Sequence, residues 1–330
     1  MSAITIYDLH HKFPSPQGSI HALQGISLDV AEGEFFGLFG PNGAGKTTLI
    51  RILSTLVIPT RGSASIHGFD VVQAAAKVRT QIGLVFSNEN SFYGRLTGRQ
   101  NLEFFGALQN LTGPAFQRRS DELFELFSLS AAADAPFQTY STGMRQKLNV
   151  TRALLHDPPV MFLDEPTKGM DVLTAETLRN LLRAELVERR GKTVLLTTHD
   201  LDEMEALCDR VGVLQSGQLR AVGKPQDLIG EATATVVYRL ELIGVQNGLA
   251  EHLAELPAVD TVALVSQTAG VTVLDLTLAD ASVPDAGLWE TLADRNVRVK
   301  RYGPKDDGLV QLLKQHANPA SGSNTPVNVA

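Results

Sequence analysis

Eight consecutive residues constrain this chain more than any other segment. Gly40-Pro41-Asn42-Gly43-Ala44-Gly45-Lys46-Thr47 satisfies the spacing G-x-x-x-x-G-K-[ST]. The apolar run Phe35–Phe39 precedes it and the helix-like run Thr48–Leu53 follows. A loop of this kind, set between a strand and a helix, suits an anion. Its glycines let successive backbone N–H groups turn toward one point. The helix N-terminus adds a positive partial charge. Lys46 is expected to reach the β- and γ-phosphates of a nucleotide, and the Thr47 hydroxyl to ligate Mg²⁺. Thr48 completes the run of expected phosphate contacts.

A magnesium–phosphate site also needs a carboxylate at the end of a neighbouring strand. Val160-Met161-Phe162-Leu163-Asp164-Glu165 supplies four apolar residues and then two acids. Neighbouring side chains on a strand point to opposite sides, so the two acids cannot share one role. Asp164 is the candidate for direct or water-mediated contact with Mg²⁺. Glu165 is the candidate general base facing the attacking water.

Residues 1–230 alternate β-rich runs with helical stretches, which predicts a largely parallel sheet covered on both faces. The expected strands are Ile4–Ile6, Ser27–Val30, Phe35–Phe39, Ile82–Phe86, Val160–Leu163, Thr193–Thr197 and Val211–Leu214, and Leu173–Arg190 is an expected helix. A mainly helical stretch over about 97–157 interrupts this order. Thr97-Gly98-Arg99-Gln100 has the form of a capping box, and Gln215-Ser216-Gly217-Gln218 that of a hairpin turn. With 330 residues and about 150 per domain, two domains are expected. A boundary near Gly230 is followed by a β-α-β-β-α-β order over 236–316, a small α+β ferredoxin-like domain ending in a helix at Gly308–His316. Residues 317–330 carry no charge and are expected to form a disordered tail.

At this point the chain resembles the ATP-binding cassette (ABC) family of transporter ATPases. Tyr140-Ser141-Thr142-Gly143-Met144-Arg145-Gln146 is similar to that family's signature loop, usually Leu-Ser-Gly-Gly-Gln, and departs from it at Tyr140, Thr142 and Met144. Ser141 keeps the hydroxyl and Gly143 the small backbone, although a serine there is also an ordinary helix N-cap. Lys168-Gly169-Met170-Asp171 resembles the loop after the catalytic Glu, with Asp171 as its terminal acid. Thr197-Thr198-His199-Asp200 resembles the switch segment, in which His199 would hydrogen-bond the γ-phosphate. Phe13 falls where the family often stacks an aromatic ring on adenine; simple packing is the alternative. Ser87-Asn88-Glu89-Asn90 stands where the family usually has Gln, leaving Asn88, Glu89 or a water bridge to replace it. The wording YSTGMRQKL, and one cassette followed by a small domain, most resemble ATPase subunits of drug-exporting systems of the daunorubicin-resistance type.

The resemblance implies a P-loop NTPase cassette with an inserted helical subdomain, working as a head-to-tail homodimer or cassette heterodimer around two ATP molecules. Each γ-phosphate would meet Lys46 and His199 of one chain and Ser141 and Gly143 of the other. It also implies a separate integral membrane permease, contacted by Ser91–Leu96 unless that segment packs within the domain. The chain would then be cytoplasmic and peripheral on the membrane. No run of about 18 apolar residues is present, and the N-terminus lacks secretory-signal character. A net charge of −7 disfavours a nucleic-acid partner. The rival reading is a soluble cassette that acts as a nucleotide-dependent switch. The single cysteine, Cys208, excludes an internal disulfide and is expected to be a packing residue on a helix. Trp289 is expected in the small core. Arg118-Arg119, Arg189-Arg190, His10-His11 and His156-Asp157 are expected on solvated faces.

Overall fold

The computed structural model describes residues 1–16, 18–86, 91–228, 237–245, 248–268, 270–278, 286–295 and 297–304. The expected boundary at Gly230, the Ser87–Asn90 substitution, the helix at Gly308–His316 and the tail at 317–330 lie outside the described residues. The chain divides into two compact units, Met1–Pro225 and Gln226–Ala330.

The first unit holds two sheets. A six-stranded sheet has the order β10-β9-β3-β8-β7-β6. It is built from β3 (Phe35–Phe39), β6 (Ile82–Phe86), β7 (Val160–Asp164), β8 (Thr193–Thr198), β9 (Arg210–Gln215) and β10 (Gln218–Gly223). The pairs β3/β8, β3/β9, β7/β8 and β6/β7 are parallel. Every residue of β3, β7 and β8 is buried. That explains the apolar runs Phe35–Phe39, Val160–Leu163 and Val194–Leu196, because a parallel strand is covered on both faces. An antiparallel sheet, order β2-β1-β4-β5, joins β1 (Ser2–Ser15), β2 (Gly18–Ala31), β4 (Arg61–Ile66) and β5 (Phe69–Asp70). Helix α1 (Lys46–Leu53) lies between the sheets. Its Leu49, Ile50, Ile52 and Leu53 share one core with Ile4, Leu9 and Ile26 of the antiparallel sheet and with Leu38, Phe162 and Leu195 of the parallel one.

After α2 (Ala75–Gln81) and β6, three helices intervene before β7: α3 (Gly98–Leu108), α4 (Gly113–Leu126) and α5 (Thr142–Ala153). The capping box forms, with Thr97 Oγ1 accepting from Gln100 N and Gln100 Oε1 from Thr97 N. Helices α6 (Val172–Leu182) and α7 (Leu201–Leu207) follow β7 and β8. The hairpin at Ser216-Gly217 also forms, and its backbone does more than turn. Gly217 N donates to Ala44 O at 2.9 Å, and Gly217 O accepts from Gln24 N at 2.8 Å. The turn thereby joins the glycine-rich loop to β2.

Several expectations need correction. Ile4–Ile6 and Ser27–Val30 are parts of two 14-residue strands paired with each other. Their polar outward residues, such as Lys12 and His21, and repeated register shifts hid the length. β4 was missed because Gly62, Ser63, Ala64 and Ser65 carry little β-propensity. The helix over Leu173–Arg190 is α-helical only to Leu182; wider turns over Arg183–Glu188 follow it. Cys208 lies just past the end of α7, where it is buried. Arg119 and Arg190 are not on solvated faces. Both bond Glu122, and Arg119 also reaches Asp157 and Leu154 O. His11 is buried with its ring edge-on to Phe13, and His156 Nε2 lies 3.0 Å from Ile82 O.

The second unit contains β11 (Val237–Ile243), a helix at Leu249–Ala254, β12 (Val259–Thr268), β13 (Val271–Leu278), a helix at Ala286–Asp294 and β14 (Arg298–Pro304). The sheet is antiparallel with order β12-β13-β11-β14, a ferredoxin-like arrangement. Leu249, Leu253, Leu288 and Leu292 pack on Leu240, Leu242, Leu274 and Leu276. Arg239 and Asp275 are direct cross-strand partners joined by two hydrogen bonds of 2.8 and 3.1 Å. Trp289 is not core. It is 38% exposed with its ring edge-on to Tyr302, because the helix turns Leu288 and Leu292 inward instead.

Phe162 is fully buried midway along β7. Phe162→Ala should cost about 3–5 kcal/mol. The urea midpoint of the first unit's transition checks this.

Candidate functional site

The glycine-rich loop leaves β3 at Phe39 and enters α1 at Lys46. Gly45 has φ 110°, and a Cβ there would stand 2.6 Å from Ala22 O and 2.9 Å from Leu23 Cδ2. Only glycine meets both conditions. Lys46 is buried, and its Nζ donates to Gly40 O and Pro41 O, so the loop's own carbonyls hold the ammonium. Burial lowers the Lys46 pKa, against the opposing pull of Glu165 and Asp164.

Asp164 closes β7 and is 6% exposed. Thr47 Oγ1 lies 3.2 Å from each of its carboxylate oxygens, and Thr197 Oγ1 on β8 donates to Oδ1. Glu165 follows with φ 49°, in the left-handed region that non-glycine residues seldom adopt. His199 Nδ1 lies 2.9 Å from Glu165 Oε1, and Lys168 Nζ donates to Oε2. Burial pushes the Glu165 carboxyl up, but Lys168 and His199 outweigh it and hold the pKa below the ordinary value. Behind them Thr167 Oγ1 donates to the buried Glu203, whose carboxyl burial pushes up.

A cleft of about 440 Å³ unites these groups. Asn42, Gly43, Lys46, Thr47, Thr48, Asp164, Glu165 and Lys168 line it, together with Ile20 and His21 of β2. A second cavity of about 290 Å³ runs from Glu165 and Lys168 to His199 and Met170. Phe13 does not line the cleft. It lies on β1 opposite Ile20, its ring 4.4 Å from that of His11. Ser141 and Gly143 do not line it either. Ser141 caps α5, its Oγ accepting from Met144 N, and a Cβ on Gly143 would approach Thr174 Cγ2 to 2.7 Å. Asp171 caps α6 at that same Thr174, accepting from its N at 3.0 Å. Ser141, Gly143 and Asp171 thus form a second cluster, apart from the cleft of their own chain.

Sequence reasoning missed Thr197 as the partner of Asp164 and Lys168 as the partner of Glu165. Thr197 meets Asp164 across two strands, which spacing does not reveal, whereas Lys168 stands only three residues after Glu165, an acid–base interval that the sequence did display.

Thr47 and Asp164 offer hydroxyl and carboxylate oxygens around one point. This is a hard donor set suited to Mg²⁺, which takes one or two carboxylates and completes its shell with phosphate and water. Among the described residues no cluster of three or more His, Cys, Asp or Glu could hold another metal. A glycine-rich cradle, a lysine, a Thr–Asp pair and an adjacent carboxylate on a parallel sheet define a P-loop nucleotide hydrolase.

Residues 23–168 match the family model described as ABC transporter. The daunorubicin resistance ATP-binding protein DrrA3 of Streptomyces coeruleorubidus is 35% identical over 317 residues, covering 90% of this chain and 98% of that protein. Among solved structures, CbiO1 from Clostridium perfringens, part of the ABC transporter complex cbiONQ, superposes with a TM-score of 0.62 at 27% identity. The match covers 70% of this chain and 91% of that one. The dimeric post-hydrolysis state of the ATP-binding cassette MJ0796, bound to ADP and Pi, superposes with a TM-score of 0.61 at 28% identity, covering 67% and 98%. The chain belongs to the ABC transporter family, as an ATP-hydrolysing nucleotide-binding subunit.

Thr197→Val keeps the shape of the side chain but removes a buried donor to Asp164. A loss of about 1–3 kcal/mol in unfolding free energy is expected, read from urea denaturation.

Proposed function

We propose that this chain is the motor of an exporter for a drug-like or otherwise hydrophobic compound, seated peripherally on the cytoplasmic face of the membrane through a permease. The observation that carries the motor part of this reading is the convergence of Lys46, Thr47, Asp164 and Glu165 on one cleft. Lys46 exchanges its loop carbonyls for the β- and γ-phosphates, and the loop from Gly40 to Thr48 holds the phosphate chain. Thr47 and Asp164 would hold Mg²⁺, which would neutralise phosphate charge. Glu165 accepts a proton from the attacking water at a carboxylate oxygen. His199, already bonded to Glu165, orients that water. Ile20, in the cleft lining, offers an apolar edge for the base, and Phe13 stands beside it on β1.

The second cluster supports a dimer. Beside Ser141, Gly143 and Asp171 lie Val172 and Leu173, which are 76% and 75% exposed at the start of α6. Two bare apolar side chains beside a signature loop suit a surface that meets another cassette, identical or sister, across the nucleotide. The resistance named for DrrA3 supports the drug-export reading. The division at Pro225 supports a cassette over 1–230 and a separate domain over 236–316.

Glu165→Gln should bind ATP without cleaving it and elute as a dimer on a sizing column in ATP. A variant that stays monomeric argues against the sandwich.

The permease surface is narrower than Ser91–Leu96. Phe92 turns inward between Phe105 and Phe137, with the Arg152 guanidinium over its ring. Tyr93 is 52% exposed, and its ring meets the exposed Phe104 edge-on at 5.3 Å. Tyr93, Phe104 and Arg95 form the outward face, and among the described residues no helix is long and apolar enough to cross a membrane. A cysteine at Tyr93 should cross-link to a co-expressed six-helix membrane partner. Absence of that product, with a cysteine at exposed Tyr7 as the control for non-specific capture, counts against this surface.

A further inference from the structure

Lys168 lies inside a recognised segment, yet the proposed mechanism gives it no task. Its ammonium donates to Glu165 Oε2 while His199 takes Oε1, so both oxygens of the proposed base are occupied. Each oxygen keeps a second lone pair, but the Lys168 ammonium draws charge from Oε2 and competes with a water for it. The two partners of the ion pair are held unequally. The Glu165 side chain is 11% exposed, whereas that of Lys168 is 45% exposed. The carboxylate is therefore fixed and the ammonium can move. A half-exposed lysine gains rotamer freedom on release, and solvent on its side screens the pair. The contact is easily exchanged for a better one.

The position of Lys168 supplies that better partner. Lys168 lines the phosphate cleft with Lys46 and Thr47 and also the adjoining cavity with His199. It acts electrostatically on Lys46 and feels Asp164. A terminal phosphate held beside Lys46 offers an ammonium three oxygens and more negative charge than one carboxylate. A diphosphate in the same cradle stops one phosphoryl group short.

We infer that Lys168 is a positioning residue that caps Glu165 in the nucleotide-free chain and passes to the terminal phosphate of ATP, uncovering Oε2. This rests on Glu165 being the base. The uncovered oxygen then takes the proton as the O–H bond of water breaks. The water oxygen bonds to the γ-phosphorus, and the bond from that phosphorus to the bridging oxygen breaks, giving ADP and phosphate. ADP leaves the cap in place, so the base is exposed only when there is a bond to cleave.

The test is equilibrium binding of ATP and of ADP to the purified full chain in EDTA, read by displacement of a fluorescent nucleotide. Parent, Lys168→Ala and Lys168→Arg are compared. Lys168→Ala should lose about tenfold in ATP affinity and less than about twofold in ADP affinity. Lys168→Arg, which keeps the cation, should keep the parent's ratio of the two. An equal loss for both nucleotides would make Lys168 a structural neighbour only, and an unchanged ATP affinity would mean that the ammonium never leaves Glu165; either result overturns the inference. Turnover of Glu165→Gln is measured in parallel with Mg²⁺. Undiminished turnover there removes the reading of Glu165 as base, and the binding ratio still reports on Lys168.

Discussion

The site depends on one buried negative charge. The Asp164 carboxylate is almost wholly withdrawn from water at the end of β7, where an unpaired ion would cost several kcal/mol. Thr47 at the start of α1 and Thr197 on β8 meet its oxygens. These contacts bring three elements to one point, because each must present its hydroxyl there or leave the charge unsatisfied. The loop that cradles phosphate is thereby fixed to the sheet that carries the acids. The backbone reversal at Glu165 follows at the next residue, where the strand no longer constrains it.

Around that point the chain holds its charged groups in contacts suited to waiting. Lys46 is bound to loop carbonyls and Glu165 to His199 and Lys168. Each contact gives a buried or half-buried group a partner, and the two lysine ammonium groups could exchange theirs for an acceptor with more negative charge. The arrangement keeps the cleft stable while making it responsive to phosphate. The second cluster, at Ser141, Gly143 and Asp171, is organised differently. Its polar atoms cap helices rather than meet a cleft of their own chain.

Much of this was legible in the sequence, and the rest was hidden for identifiable reasons. The parallel strands declared themselves because burial on both faces demands unbroken apolar runs, as in Phe35–Phe39 and Val160–Leu163. The glycine-rich loop and the Asp-Glu pair were legible because the chemistry admits few alternatives. The ferredoxin-like order was legible from alternating patterns such as Leu240-Glu241-Leu242. The long strands β1 and β2 were not, since an antiparallel sheet with a wet face tolerates Lys12, His21 and Ser19. Trp289 was misjudged because residue type suggests burial and only helix phase decides it. The partner Thr197 was invisible for a deeper reason, because a hydrogen bond between residues on different strands leaves no trace in spacing. Lys168, three residues after Glu165, was legible in principle and was read only as part of a family segment.

The turn at Ser216-Gly217 has a consequence for how the molecule is made. Its backbone is stitched to Ala44 and Gln24, and Gly217 and Gly45 both press against Ala22 O, where neither could carry a side chain. Ribosomal synthesis delivers residues 40–47 early but the stitch only some 170 residues later. A nascent chain therefore displays the phosphate-binding residues long before it can hold them in shape. Competence to consume fuel arrives only once nearly the whole first unit has emerged, so an unfinished cassette is idle by construction.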